Sequence, residues 1–349
     1  MTRGPAVWLR ADASAALGSG HVMRCHALAL ALRERGAVVG LLARELPSAL
    51  AAPWHEIAGR VVMLGAGDDA AATRAALDRT GCDALVVDHY GLDAAWERAL
   101  RPACRVLMAL DDLADRPHDA DLLLDQNLGR AAGDYDSRVP AACERLIGPR
   151  FALLRPDFAA ARAASLQRRA NGALRHLVVS LGGGDPQQAS LHVLRALATA
   201  TLPAGLRVSV ALGPLAPTLA DARDLAATLP MSCSVHGAVS DMASLLAEAD
   251  LAVGAAGGSA WERCCLGVPT LLLVLADNQR AGAQALAEAA AAQPLGTLDQ
   301  LPRTLPAALH ALAEPARLHS MSTAAAAVTD GQGAARVADA LLARLEASR

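Results

Sequence analysis

Twice along the chain a short apolar run of strand length ends in a glycine-rich turn and passes into a helix pattern. The first copy runs from Ala6–Arg10 through Gly18–Gly20, the second from His176–Ser180 through Gly182–Gly184. A strand that feeds a helix in this way is normally returned beside a parallel neighbour by that helix. The alternation continues around both copies. In the first half, Val38–Ala43, Val61–Leu64, Ala84–Asp88 and Val106–Leu110 read as strands, between helices at Met23–Arg35, Asp69–Thr80 and Asp93–Leu100. In the second half a helix from Pro186 to about Thr201 is followed by strands at Arg207–Leu212, Leu251–Val253 and Pro269–Val274, with a helix at Ser259–Leu266. The expectation is an α/β fold of two Rossmann-like domains with mostly parallel sheets facing across a cleft. The length of 349 residues suits two cores better than one.

The pattern loosens between Phe151 and Gly172. Arg155-Pro156-Asp157 interrupts it, a helical arginine-rich piece carrying Arg162, Arg168 and Arg169 follows, and Asn171-Gly172 is a turn signal. The expected division is a first domain over 1–157, a solvated linker over 158–172 and a second domain over 173–349. The last helix, Gln332–Leu345, is a candidate to pack back on the first domain.

Composition removes several function classes. With 53% apolar and 19% charged residues the chain is not of a disordered type. A net charge of −3 and only 2% aromatics argue against duplex binding and against base stacking, so no nucleic-acid partner is expected. Seven cysteines without a C-x-x-C pair read as reduced thiols. No apolar run reaches the roughly 20 residues of a membrane span, and no signal-peptide core follows Met1, so a cytoplasmic enzyme without a membrane partner is expected.

In open parallel sheets, ligands sit beyond the carboxyl ends of the strands. The candidate site residues therefore lie in those loops. Gly18, Gly20, His21 and Arg24 form a turn where backbone comes close to a ligand and a helix presents free amides. His21 there is a candidate base, with a capping role as the plainer alternative. Arg10 and Asp12 leave the first strand, and Asp88-His89-Tyr90 leaves another. Asp111-Asp112 can hold sugar hydroxyls, and no third ligand at a convincing spacing supports a metal there. In the second half, Gly182 and Gly183 belong to a close-approach loop, but not to a dinucleotide fingerprint. The stretch GAAGGSAWE offers the amides of Gly257, Gly258 and Ser259 to a diphosphate and the carboxylate of Glu262 to ribose hydroxyls. Ser259 and Glu262 also have capping-box spacing. Asn278 and Gln279 suit phosphate or sugar oxygens.

Taken together, RADASAALGSGHVMRC, VVDHYGLD, LDDLADRPHDADLLLDQN, SLGGGDP and GAAGGSAWERCCLGVPTLLLVLADNQ resemble the PseG family, the UDP-sugar hydrolases of pseudaminic acid biosynthesis. The resemblance implies a GT-B fold like that of the MurG glycosyltransferases. It also implies metal-free, cofactor-free release of UDP from UDP-2,4-diacetamido-2,4,6-trideoxy-β-L-altropyranose, with inversion at the anomeric carbon. By position His21 matches the family's catalytic histidine, Tyr90 its cleft tyrosine, and Glu262 the nucleotide-ribose ligand of the wider GT-B group. UDP is a stabilised leaving group, so one base to activate water is the main chemical need, and an imidazole suits that task. His21 is the expected base, with Asp12, Tyr90 and Asp111 orienting sugar and water. The UDP-sugar and UDP are the expected partners, and other enzymes of the same pathway are candidates. A MurG-like transferase, a hydrolysing 2-epimerase and a non-catalytic nucleotide-sugar binder remain the alternatives.

Overall fold

The computed structural model describes residues 4–14, 17–57, 59–169, 173–185, 187–213 and 216–348. Two compact units divide them: Met1–Arg155 with Gln332–Arg349, and Pro156–Gly331.

The first unit alternates β1 (Ala6–Ala11), α1 (Gly20–Glu34), β2 (Val38–Ala43), α2 (Ser48–Glu56), β3 (Arg60–Met63), α3 (Asp69–Thr80), β4 (Ala84–Asp88), α4 (Ala94–Leu100), β5 (Val106–Leu110), β6 (Leu122–Asp125) and β7 (Glu144–Ile147). The seven strands are parallel in the order β3-β2-β1-β4-β5-β6-β7. Strand order reverses between β1 and β4, the switch point where open α/β sheets bind ligands. The apolar face of α1, including Val22, Cys25, Leu28 and Leu32, packs into the sheet's core.

The second unit repeats the plan with α5 (Pro156–Arg169), β8 (His176–Ser180), α6 (Ala189–Ala198), β9 (Arg207–Ala211), α7 (Leu219–Ala227), β10 (Ser232–His236), α8 (Met242–Ala247), β11 (Leu251–Ala255), α9 (Ser259–Cys265), β12 (Thr270–Leu273), α10 (Arg280–Glu288), β13 (Ala292–Gly296), α11 (Leu301–Leu312) and α12 (Pro315–Val328). Its six parallel strands run β10-β9-β8-β11-β12-β13, with the switch point between β8 and β11. The closing helix α13 (Gly333–Ala347) belongs to the first unit, where Val337, Ala338, Leu341 and Leu345 join the core that holds α1. Among the described residues no helix is long and apolar enough to cross a membrane.

Three local readings need correction. The stretch 158–172 is helical as expected as far as Arg169, but there it is not a solvated linker: it is α5, packed into the second unit. Its arginines turn inward to carbonyls at helix ends. Arg169 is 5% exposed and donates to Leu246 O at 2.8 Å, Ala249 O at 2.6 Å and Leu266 O at 2.9 Å. Arg162 donates to Ala326 O at 2.7 Å and Thr329 O at 3.0 Å. Cationic side chains here meet the carbonyl-rich, negative ends of helices, which helix geometry leaves unpaired. The turn expected at Asn171-Gly172 and the helix start expected at Pro186 lie outside the described residues, and α6 begins at Ala189. Finally, α1 begins at Gly20 rather than Met23, which moves His21 from the turn into the helix's first turn.

Candidate active site

In the first unit, strand register brings the polar strand ends together. Ala11 of β1 pairs with Asp88 of β4, and Asp88 pairs with Leu110 of β5. Asp12, the Asp88–Tyr90 run and Asp111-Asp112 therefore leave three adjacent strands side by side. His21 and Arg24, three residues apart on α1, share one helix face above β4.

Asp88 organises this cluster. Its fully buried carboxylate meets His21 Nδ1 at 2.6 Å and accepts from Arg24 Nε at 2.6 Å and Arg24 Nη2 at 2.6 Å. Burial alone pushes the Asp88 carboxyl up, but the Arg24 guanidinium and His21 outweigh it and hold the group well below the usual carboxylate range. An ionised Asp88 accepts the Nδ1–H of His21, so a neutral ring carries its lone pair on Nε2. The His21 side chain keeps 8% of its surface open. This is the geometry of a base whose tautomer and orientation are fixed by a carboxylate.

Tyr90 stands edge-on to the His21 ring, with centroids 4.7 Å apart and an interplanar angle of 85°. Its hydroxyl donates to Asp112 Oδ2 at 3.2 Å, and Arg24 Nη1 reaches the same oxygen at 3.1 Å. Burial and the neighbouring Asp112 raise the Tyr90 phenol, which keeps it protonated. His21, Arg24 and Tyr90 are thus gathered together, and Asp88 and Asp112 join them.

Other expected residues of this unit have different tasks. Arg10, 1% exposed, binds Asp12 through Nη2 at 2.8 Å and Asp69 through Nη2 at 2.8 Å. Asp12 also accepts from the backbone of Arg44 at 2.6 Å and Glu45 at 3.2 Å, and His89 Nε2 lies 3.5 Å away. These bonds lock the ends of β1 and β2 together, and among the described residues none joins Arg10 or Asp12 to His21. Asp111 does not offer itself to a sugar. Its buried carboxylate accepts from Ala114 N at 2.7 Å and Tyr135 Oη at 3.0 Å and pairs with Arg116 at 2.9 Å. The partly open member of the pair is Asp112. Gly18 adopts φ +74° in an exposed turn, and Gly20 opens α1 with free space where a Cβ would stand.

The second unit gathers its glycine loops at the other switch point. Gly254 on β11 pairs with Ser180 on β8, so Gly182-Gly183 and Gly257-Gly258 leave neighbouring strands. Gly182 needs its φ of +104°, and Gly183 accepts a hydrogen bond from Gly213 N at 2.9 Å. At Gly258, the N-cap of α9, an added Cβ would meet nothing within 4 Å; at Gly257 it would stand 3.7 Å from Gln279 Nε2. The amides that open α9 have no acceptor within the helix. Ser259 does not form a capping box with Glu262: its hydroxyl accepts from Arg263 Nη1 at 3.1 Å. Glu262 is partly buried in the first turn of α9, and Asn278 lies exposed beside Gln279 in a short 3-10 turn over Asp277–Gln279.

Sequence reasoning placed Asp88 at a strand end without giving it the partnership with His21, left Asp112 paired with Asp111, and missed Arg263. The available signal for Asp88 was an acidic residue closing a strand that is otherwise wholly apolar, ALVVD, a position that is buried and so demands cationic partners.

Comparison with known proteins yields a consistent set of likenesses. Residues 231–339 match a family model described as the glycosyltransferase family 28 C-terminal domain. A spore coat polysaccharide biosynthesis protein, SpsG, of Bacillus subtilis is 32% identical over 172 residues, which cover 49% of this chain and 50% of that one. A UDP-2,4-diacetamido-2,4,6-trideoxy-beta-L-altropyranose hydrolase of Campylobacter jejuni is 24% identical over 187 residues, covering 54% of this chain and 64% of the relative. The chain thus spans about half to two thirds of the length of these curated relatives. Among solved structures, MurG of Acinetobacter baumannii superposes with a TM-score of 0.70 at 18% identity, covering 97% of this chain and 99% of that one. The fold is the two-domain α/β arrangement of the GT-B glycosyltransferases.

Proposed function

We propose that this chain is an enzyme acting on UDP-sugars, and that it hydrolyses its substrate to UDP and a free sugar. The observation that carries the reading is the His21–Asp88 couple: a buried, ionised carboxylate 2.6 Å from Nδ1 prepares Nε2 to take a proton. A protein that only bound nucleotide sugars would have no need of an oriented base. The name of the Campylobacter jejuni relative supports UDP-2,4-diacetamido-2,4,6-trideoxy-β-L-altropyranose as substrate.

In this mechanism the amides of Gly257, Gly258 and Ser259 hold the diphosphate, and Glu262 accepts hydrogen bonds from the ribose. Water attacks the anomeric carbon while its proton passes to His21 Nε2. The bond from that carbon to the β-phosphate oxygen breaks with its electron pair leaving on UDP, so no second acid is required. A single displacement inverts the anomeric centre. Asp88 stabilises the imidazolium as it forms, and Tyr90 with Asp112 positions the water and sugar. General-base catalysis of this kind contributes about 10²- to 10⁴-fold.

The family 28 match and the MurG likeness favour a second reading, in which a sugar or lipid hydroxyl replaces water. Incubation with the UDP-sugar alone separates the two. A hydrolase releases UDP with many turnovers in buffer, whereas a transferase lacking its acceptor releases almost none.

A further inference from the structure

Arg263 is a charge that the fold buries without an ionic partner. It is 1% exposed; among the described residues no carboxylate pairs with it directly, and its neighbour Glu262 offsets only part of what burial costs it. Nη2 donates to Ala255 O at 2.6 Å, Nη1 donates to the Ser259 hydroxyl at 3.1 Å, and Nε has no partner. The backbone is shaped around this group: a Cβ on Gly254 would stand 2.4 Å from the guanidinium carbon. Burial pulls the group down to about 10, which still leaves it cationic at neutral pH. The guanidinium therefore bridges the two ends of the turn from Gly254 to Ser259. At Gly258 the same turn is open, with nothing within 4 Å of an added Cβ.

Isolating a cation from water costs heavily unless an anion compensates. Two hydrogen bonds to neutral oxygens satisfy only part of a five-donor guanidinium. A bracing role alone would be served equally well by an uncharged side chain.

We propose that Arg263 is a positioning residue whose fixed charge beneath the turn makes the second unit select a diphosphate over an uncharged nucleoside. The proposal rests on the reading of this turn as the nucleotide site. Ser259, held by Arg263, keeps the turn's amides in place, and the diphosphate adds to the partial counter-charge of Glu262 through the backbone rather than by direct contact.

The test compares binding of UDP and of uridine by calorimetry to the full-length wild type, R263M and R263K. R263M is expected to bind UDP on the order of tenfold more weakly and uridine within about twofold of wild type, while R263K keeps most of the preference for UDP. Wild-type affinity of R263M for UDP, or an equal loss for UDP and uridine, would overturn the assignment, the latter because a brace affects both ligands alike. Should R263M fail to fold, R263Q takes its place: a loss confined to UDP supports the role of charge, and an equal loss for both ligands refutes it. If wild type binds neither ligand, the nucleotide site itself is wrong and the proposal goes with it. Binding of UDP by wild type with no preference over uridine sinks only the role of Arg263.

Discussion

Replacing Asp88 with asparagine changes one oxygen to NH2 and removes one charge at the centre of the first unit's cluster. Three donor contacts at 2.6 Å, two from Arg24 and one from His21, converge on that carboxylate. An amide cannot serve all of them. If its NH2 takes the place of Oδ1, it faces His21 and also opposes Arg24 Nη2: the ring is driven to the tautomer protonated on Nε2, and the lone pair needed for water is lost. If its NH2 takes the place of Oδ2, it opposes Arg24 Nε, and His21 keeps its acceptor. The first outcome predicts a fall in kcat of about 10³- to 10⁴-fold with little change in KM, the loss expected when a base is held in the wrong tautomer. Both orientations add instability, because Arg24 donates to each oxygen. Breaking a buried ion pair costs about 3–5 kcal/mol, and Asp112, 3.1 Å from Arg24, retains part of it. A loss near 3 kcal/mol lowers Tm by about 6–12 °C in a unit of this size. Initial rates of UDP release and thermal melts of Asp88→Asn, His21→Asn and the double variant measure both effects. The double variant should lose no more activity than His21→Asn alone, because the two side chains act as one unit. A folded Asp88→Asn enzyme turning over within about threefold of wild type would refute the orienting role.

Three further outcomes follow from the same geometry. Tyr90→Phe keeps the ring against His21 but removes the hydroxyl bond to Asp112, so kcat should fall by less than about tenfold, whereas Tyr90→Ala should lose considerably more in the same assay. Glu262→Gln should raise KM for the UDP-sugar by about tenfold with kcat nearly unchanged, since ribose binding is shared by ground and transition states; steady-state kinetics separates the two. In acid, Asp12, Asp69, Asp88 and Asp111 are all held below their ordinary values, while Asp125 is raised by burial and acts in the opposite direction. A depressed carboxyl binds fewer protons folded than unfolded. Its stabilisation is therefore complete above about pH 5 and disappears as pH falls through the lowered values. Tm should decline gently from about pH 7 to 5, where His26, His89 and His176, lowered by burial, take up protons more readily unfolded, and drop further below that; a Tm that rises on acidification would contradict the arginine–aspartate pairs.

Much of the fold was legible because buried parallel strands are written as uninterrupted apolar runs. Val38–Ala43, Ala84–Asp88, Val106–Leu110 and His176–Ser180 are strands with the boundaries their sequences suggested. Strands with other signals escaped notice. Ser232–His236 is half polar and only partly buried, Ala292–Gly296 contains Pro294, and Leu122–Asp125 is four residues long. Helix α5 was mistaken for a linker because arginine density normally marks solvent, and no local pattern reveals that Arg162 and Arg169 reach carbonyls many residues away. In the site, glycine turns and strand-end polar residues located the right loops. They could not separate Asp112 from Asp111, since adjacent side chains point to different surroundings that only the tertiary structure supplies. Arg263 was invisible for a related reason: a charged residue inside a short helix ordinarily faces water, and its burial depends on the absence of a side chain at Gly254.

Hydrolysis in water enriched with ¹⁸O, followed by mass spectrometry of both products, addresses the chemistry at its core. If His21 delivers water to the anomeric carbon, the label enters the released sugar and UDP carries none. Label in the β-phosphate of UDP, with an unlabelled sugar, would mean attack at phosphorus and would contradict the role assigned to the imidazole.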